Sequence, residues 1–384
     1  MISILDNDLY KFTMQMAVLE LFPNAVAEYQ FINRGKHKFS GLFFLKLQER
    51  IQEYSYLRLT PQEKRWFAKT CPYLKPWYLD YLENYRFNPQ EVHATCIDGD
   101  LKVSVLGQWH KTILWEVPLL AMISQTYFEL VDTNWKYDSK EYKWDFIGKL
   151  LQLRDCHVSE FGTRRRRSFE VQRDIVAVGR KSMNNFAGTS NVYLSMENSL
   201  VPRGTMAHEW IMGNSVLESL QHANRYGLMN WNKVFNGNLG IALTDTYGLD
   251  AFLKDFDLNL AKLFDGVRHD SGDPFTWVDK IVLHYKELKI DSMSKTAFFS
   301  DNLNPRRAVD INTYCKGKIR ASFGIGTNFT NDFEGSSPLN IVIKMFGLNG
   351  FPVVKLSEEP LKACGDKDAL RVAKWIYFGK PLEE

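Results

Sequence analysis

The second half of the chain alternates short apolar runs with amphipathic helical stretches, and each run gives way to small or polar residues. No other feature limits the fold as tightly. Residues 239–243 lead into Thr244-Asp245-Thr246 and a helix from Leu249. Residues 263–267 lead into Arg268-His269-Asp270-Ser271-Gly272-Asp273, where Asp273 suits a helix N-cap and Pro274 a first helical position. The stretch that follows places Trp277, Val278, Ile281, Val282, Tyr285 and Leu288 on a 3.6-residue period. Residues 296–299 lead into Ser300-Asp301-Asn302, and 319–323 into Gly324-Ile325-Gly326-Thr327. Strand, polar turn and helix at crossover spacing build a parallel sheet. Several in succession predict an α/β fold with a (β/α) barrel, whose chemistry sits at the carboxyl ends of its strands. A doubly wound open sheet fits the same periodicity.

A single barrel takes about 250 residues, and this chain has 384. The surplus lies at its ends. The first part is rich in aromatics and poor in glycine, and its pattern predicts helices over 9–21 (ended by Phe22-Pro23), 41–57 and 61–70. Strands are predicted over 25–32 and 92–105, the second turning at Asp98-Gly99-Asp100. Two further β-like runs, 339–345 and 351–356, flank Asn349-Gly350 and can return to this α+β region.

Aromatics make up 14% of the chain, which excludes a disordered or low-complexity protein. The longest uncharged apolar stretch, 117–128, falls short of the ~18–20 residues of a membrane span. A net charge of +3 argues against a general polyanion binder. Asp6, Asn7 and Asp8 interrupt any signal-peptide pattern at the start. Cysteines 71, 96, 156, 315 and 364 are scattered, with no CxxC pair, which predicts free thiols in a reducing compartment. A cytoplasmic protein without membrane or nucleic-acid partner is the expectation.

Four segments carry candidate chemistry. Phe161-Gly162-Thr163 precedes four consecutive arginines, 164–167, and guanidinium groups clamp phosphate or carboxylate. The alternatives are a solvated helix face paired with Glu160, Glu170 and Asp174, or a nucleic-acid patch. His208 follows the turn Val201-Pro202-Arg203-Gly204, expected at a strand exit that holds the imidazole open as nucleophile or acid–base group. Arg268 and Asp270 go beyond what helix capping needs and suit a polyol or metal-bound phosphate. Gly324-Ile325-Gly326-Thr327, with Ser300-Asp301 on the preceding strand end, lets backbone N–H groups approach a phosphate.

The motifs FGTRRR, AGTSNV, VPRGTMAHEW, LTDTYG, VRHDSGDP and FGIGTNF, in this order, resemble nicotinate phosphoribosyltransferases. The likeness runs from LDNDLYK at 5–11 to PVVKL at 352–356. It implies an irregular (β/α) barrel over 121–334 packed on an α+β sandwich-like domain, 1–120 completed by 335–384. It implies conversion of nicotinate and phosphoribosyl pyrophosphate to nicotinate mononucleotide and pyrophosphate, a ligase-class step of NAD biosynthesis or salvage. ATP hydrolysis would be coupled through a phosphohistidine, with Mg2+ assisting but no protein metal ligand assigned.

By the same resemblance His208 is the phosphorylated histidine and Asp245 orients its ring. Phe161 and, from a neighbouring subunit, Tyr10 stack on the pyridine, and Arg164 meets the nicotinate carboxylate. Ser190 stands where the nicotinamide-using sister enzyme carries an aspartate. A hydroxyl can donate to a carboxylate that an aspartate would repel, which favours the acid over the amide. Arg268 and Asp270 would meet the ribose and its Mg2+-bound pyrophosphate, and Ser300, Asp301, Gly326 and Thr327 the 5-phosphate. Lys344 and Lys355 would reach phosphates across the interface of a homodimer with shared active sites. Nicotinamide phosphoribosyltransferase is the alternative reading.

Overall fold

The computed structural model describes residues 2–133, 135, 139–357, 359 and 362–379. The ends of the expected spans, Met1 and 380–384, lie outside the described residues, as do 358, 360 and 361. The strands are β1 (Val26–Asn33), β2 (Val92–Ile97), β3 (Asp100–Gln108), β4 (Val158–Glu160), β5 (Phe186–Thr189), β6 (Ile241–Leu243), β7 (Gly266–His269), β8 (Thr296–Phe299), β9 (Arg320–Ile325), β10 (Ile341–Leu348) and β11 (Phe351–Pro352).

Five of them form one antiparallel sheet in the order β11-β10-β1-β3-β2. The N-terminal and C-terminal regions therefore share a sheet, with Phe31 opposite Ile343 and Gln30 opposite Lys344. Helix Leu9–Leu21 matches its expected bounds. So does Pro61–Thr70, where Thr60 and Glu63 form a capping box ahead of Pro61. The expected 41–57 helix ends at Glu53 and tightens into a 3-10 turn over Tyr54–Tyr56. The boundary expected after residue 120 falls inside helix Glu116–Leu130, which is buried over most of its length and bonds the arginine run through Ser124 Oγ to Arg166 O at 2.8 Å.

The other six strands are parallel, in the order β5-β4-β9-β8-β7-β6. The first and last in sequence, β4 and β9, are paired inside this order, as in a barrel opened at one seam. Its two edges, β5 and β6, are not paired to each other among the described residues. The loop 198–207 spans that gap. Arg203 N donates to Thr189 O on β5 at 2.9 Å, and Thr205 Oγ1 to Ile241 O on β6 at 3.3 Å. Val201 O lies 2.8 Å from where a Cβ on Gly188 would stand, and Gly188 has φ +136, so only glycine fits this crossing. The architecture is a parallel (β/α) barrel with an irregular seam, packed against an antiparallel sheet. The strand expected at 263–267 starts later, at Gly266, because Leu263 still closes the helix Leu258–Leu263.

Candidate active site

The barrel registers bring the strand exits to one level. Leu243 lies opposite Arg268, His269 opposite Phe299, Phe299 opposite Phe323 and Ile325 opposite Glu160. Asp245, Asp270, Ser300, Gly326, Phe161 and Ser190 therefore follow their strands on the same face of the sheet, at its carboxyl ends. All but Asp245 border a cavity of about 1730 Å³, whose other wall carries Lys344 of β10 and the tail with Lys355 and Lys362. Such a volume exceeds a single drug-sized ligand site.

His208 does not follow a strand. It is the first residue of helix His208–Leu217, preceded by the seam loop. Pro202, which lacks an N–H, and Gly204, at φ +147, keep that loop out of the ladder. The imidazole Nε2 lies 2.8 Å from Asp245 Oδ1, 2.7 Å from Lys355 Nζ and 3.8 Å from Asp270 Oδ2. Lys355 also donates to Asp245 Oδ2 at 2.9 Å, and Ser271 Oγ donates to the same oxygen at 2.6 Å. Burial, then the Lys355 ammonium, lowers the His208 pKa against the pull of Asp245. Against the cost of its burial, Lys355 and His208 hold Asp245 well below the usual carboxylate range. The imidazole thus lies between a carboxylate and an ammonium.

Asp270 accepts from Arg268 at 3.0 Å and Ser300 Oγ at 2.6 Å, and Arg268 Nε donates to Ser300 at 2.8 Å. Asp301 is paired with Lys362 at 2.5 Å. Lys362 also bonds Asp270 O, and Lys344 Nζ reaches Lys362 O at 2.8 Å. The ligand atoms of His208, Asp245 and Asp270 lie within 4.8 Å of one another. The Lys355 ammonium occupies that cluster, so a cation bound directly there would have to displace it.

The four arginines diverge. Arg164 lies over the cavity, with NH1 3.3 Å from Glu116 Oε1. Arg165 also lines it, and burial, then the charges of Arg164 and Arg34, pull its pKa down to about 10. Arg166 is buried and bonds Asp6 through both terminal nitrogens at 2.7 Å. Arg167 is buried among Phe128, Trp135 and Phe333, with its guanidinium carbon 3.7, 4.7 and 4.5 Å from the ring centres. Neither the solvated helix face nor the partners Glu170 and Asp174 fits this arrangement. Phe161 packs on Phe298 at 5.4 Å, and its ring lies so close to β9 that a Cβ on Gly324 would meet it at 2.8 Å.

Three side chains have contacts within their own chain that the motifs did not specify. Lys355, expected to act across a subunit boundary, reaches His208 of its own chain, because Leu356 N bonds Thr246 O at 2.9 Å and lays the tail over the barrel mouth. Tyr10, expected at a neighbour's site, lines the same cavity as Phe161, its hydroxyl 3.5 Å from Glu116 Oε2. Ser190 donates its hydroxyl proton to Asp8 Oδ1 at 2.8 Å, not into the cavity.

Sequence reasoning missed Lys362, Glu116, Glu160 and the buried Lys11. The Lys11 ammonium bridges Glu116 and Glu209 at 2.5 Å each. Glu160 accepts from Thr189 Oγ1, Gln172 and Gly162 N, and burial pushes it up to about 7 against these bonds. These partners lie far apart in sequence, although Lys11, like Asp8, falls inside the LDNDLYK motif.

Residues 5–124 match the nicotinate phosphoribosyltransferase (NAPRTase) N-terminal domain, and 156–378 match the nicotinate phosphoribosyltransferase (NAPRTase) family. The chain belongs to the nicotinate phosphoribosyltransferase family. It is 51% identical to a nicotinate phosphoribosyltransferase of Methanosarcina mazei, over 100% of this chain and 99% of that protein. Among solved structures it resembles the nicotinate phosphoribosyltransferase of Porphyromonas gingivalis, with a TM-score of 0.94 at 38% identity over 97% of this chain and 98% of that one. The Vibrio cholerae enzyme gives a TM-score of 0.93 at 34% identity, over 99% and 94%. Among the described residues no helix is long and apolar enough to cross a membrane, and all five cysteines are free.

Proposed function

We propose that this member of the nicotinate phosphoribosyltransferase family joins nicotinate to phosphoribosyl pyrophosphate, releasing pyrophosphate, in NAD biosynthesis. The observation that carries the reading is one cavity holding two kinds of recognition. Phe161 and Arg164 offer an aromatic wall and a cation for a pyridine carboxylate, while Arg268, Asp270 and Ser300 form a bonded polar group for a phosphorylated ribose. Displacement at the anomeric carbon builds positive charge on the ring as pyrophosphate leaves, so placement and charge stabilisation do most of the catalysis. Mg2+ would accompany the pyrophosphate and neutralise the leaving group, with Asp270 the carboxylate best placed to meet it.

ATP hydrolysis is coupled, in this reading, through phosphorylation of His208. With the ring proton on Nε2 and donated to Asp245, the lone pair on Nδ1 attacks the γ-phosphorus of ATP. The Nδ1–P bond forms as the bond to the β-phosphate oxygen breaks, and ADP leaves. In that tautomer Nε2 has no lone pair for Lys355, which keeps only its bond to Asp245 Oδ2. A phosphorylated His208 changes the charge beside Asp270 and so the relative affinity for the donor and pyrophosphate. A homodimer that shares residues between sites is part of the proposal.

The test is incubation with phosphoribosyl pyrophosphate, Mg2+ and either base, following pyrophosphate and mononucleotide. Preference for nicotinamide overturns the assignment. Incubation with γ-labelled ATP should leave acid-labile label on the wild type and none on His208→Ala; equal labelling removes the phosphohistidine.

A further inference from the structure

Asp8 stands at the N-cap of helix Leu9–Leu21, yet its side chain makes no capping bond. Its carboxylate instead accepts the Ser190 hydroxyl at 2.8 Å. The two segments are fixed together, since Leu9 N donates to Ser190 O at 2.8 Å and Asp8 and Asn191 form a β-bridge. Asp8 is 2% exposed and borders the cavity alongside Arg164, Phe161 and Ser190. Thr163 is a second donor to it; the Thr163 oxygen already accepts from Gln172 at 2.8 Å and Asn191 at 3.4 Å.

A serine hydroxyl carries one proton. Given to Asp8, it leaves Ser190 only lone pairs for a ligand. That suits the N–H of an amide and opposes a carboxylate, which also brings only acceptors. The conflict disappears if the shared proton comes from Asp8. We propose that Asp8 is a positioning residue for the acid substrate: nicotinate binds with Asp8 in its carboxylic-acid form, which donates to Ser190 Oγ and turns the serine proton onto the substrate carboxylate. One proton is taken up from solvent on binding and no covalent bond changes. The inference rests on nicotinate as the substrate.

The surroundings shift Asp8 towards the acid form. Burial pushes the Asp8 carboxyl upward and Glu116 adds to this, against the bonds from Thr163 and Ser190 and the charge of Arg164. Glu160 is a further buried carboxyl close enough to feel Asp8, while Tyr10 and Arg166 are the other ionisable neighbours. An incoming carboxylate adds one more negative charge and raises Asp8 again.

The test is the KM for nicotinate from roughly pH 6 to pH 9 with the other substrates saturating. A one-proton requirement makes KM climb with pH by up to about tenfold per unit. The KM for phosphoribosyl pyrophosphate should not follow. Asp8→Asn presents an amide donor to Ser190 at every pH, so its KM profile should be flat; Glu160→Gln should keep the wild-type slope. If Asp8→Asn does not fold by circular dichroism, Ser190→Ala, which removes the hydroxyl, must be flat instead. A flat wild-type profile, or an unchanged slope in Asp8→Asn, overturns the proposal. A wild type that makes no nicotinate mononucleotide overturns the functional reading itself, whereas turnover with a flat KM removes Asp8 alone.

Discussion

Replacing Arg166 with methionine should destabilise the fold by about 3–5 kcal/mol, the usual consequence of stripping one partner from a buried ion pair. The structure supplies the terms. Arg166 and Asp6 side chains are 2% and 1% exposed. The guanidinium makes two 2.7 Å bonds to the carboxylate and one of 2.9 Å to Gln172. Without it, Asp6 retains the side-chain bond from Asn191 at 2.8 Å. Against its burial, Arg166 holds the Asp6 pKa below the ordinary carboxylate value. The pair therefore contributes its full stability above the unfolded carboxylate pKa and loses it as pH falls through the lower folded value. In Arg166→Met burial is opposed only weakly, so Asp6 titrates higher. The difference between the proteins should be largest near neutral pH and shrink on acidification. Urea unfolding followed by circular dichroism from roughly pH 7 to pH 4 measures this. The double variant Asp6→Asn/Arg166→Met should lose less than the two single changes combined. A loss below about 1 kcal/mol at neutral pH, or one independent of pH, would refute the buried-pair argument.

Arg164→Met should leave the unfolding midpoint nearly unchanged, because that side chain is 40% exposed. It should raise the KM for nicotinate by about 10- to 100-fold, the worth of one charged hydrogen bond, in steady-state kinetics. Lys355→Met removes an ammonium that lowers the His208 pKa. Phosphorylation needs the neutral ring, so ATP-dependent labelling of the variant should fail at a higher pH than in the wild type as pH falls; an unmoved acid limb counts against the contact. Ser190→Asp places a second carboxylate beside Asp8 and should lower the nicotinate-to-nicotinamide ratio of kcat/KM by more than about tenfold.

Element bounds were readable where punctuation was strong. Phe22-Pro23 ends the first helix, and Thr60-Pro61 with Glu63 begins another at the expected residue. β4 and β5, of three and four residues, were not read from the sequence, although β6, β7 and β8 are as short. Site residues were found where a motif marks a strand exit, as at Asp245 and Asp270. The buried bridge from Glu116 through Lys11 to Glu209 was invisible, because it joins positions 116, 11 and 209 through the fold alone. Sequence spacing also could not separate four adjacent arginines, two of which serve the core and two the cavity. The direction of the Ser190 proton depends on a residue 182 positions away.

The crossing between β5 and β6 has a mechanical consequence. Elsewhere the barrel wall is a continuous backbone ladder, so moving a strand exit means breaking several paired amides at once. Here the wall is a stitch held by Arg203 and Thr205, and it hands the chain directly to His208. A shift of that ring therefore need not break a strand ladder, while Asp270, Ser300 and Phe161 directly follow paired strands. The barrel thus mounts His208 beyond a loop that bridges two strand edges, and Asp270, Ser300 and Phe161 directly on paired strands.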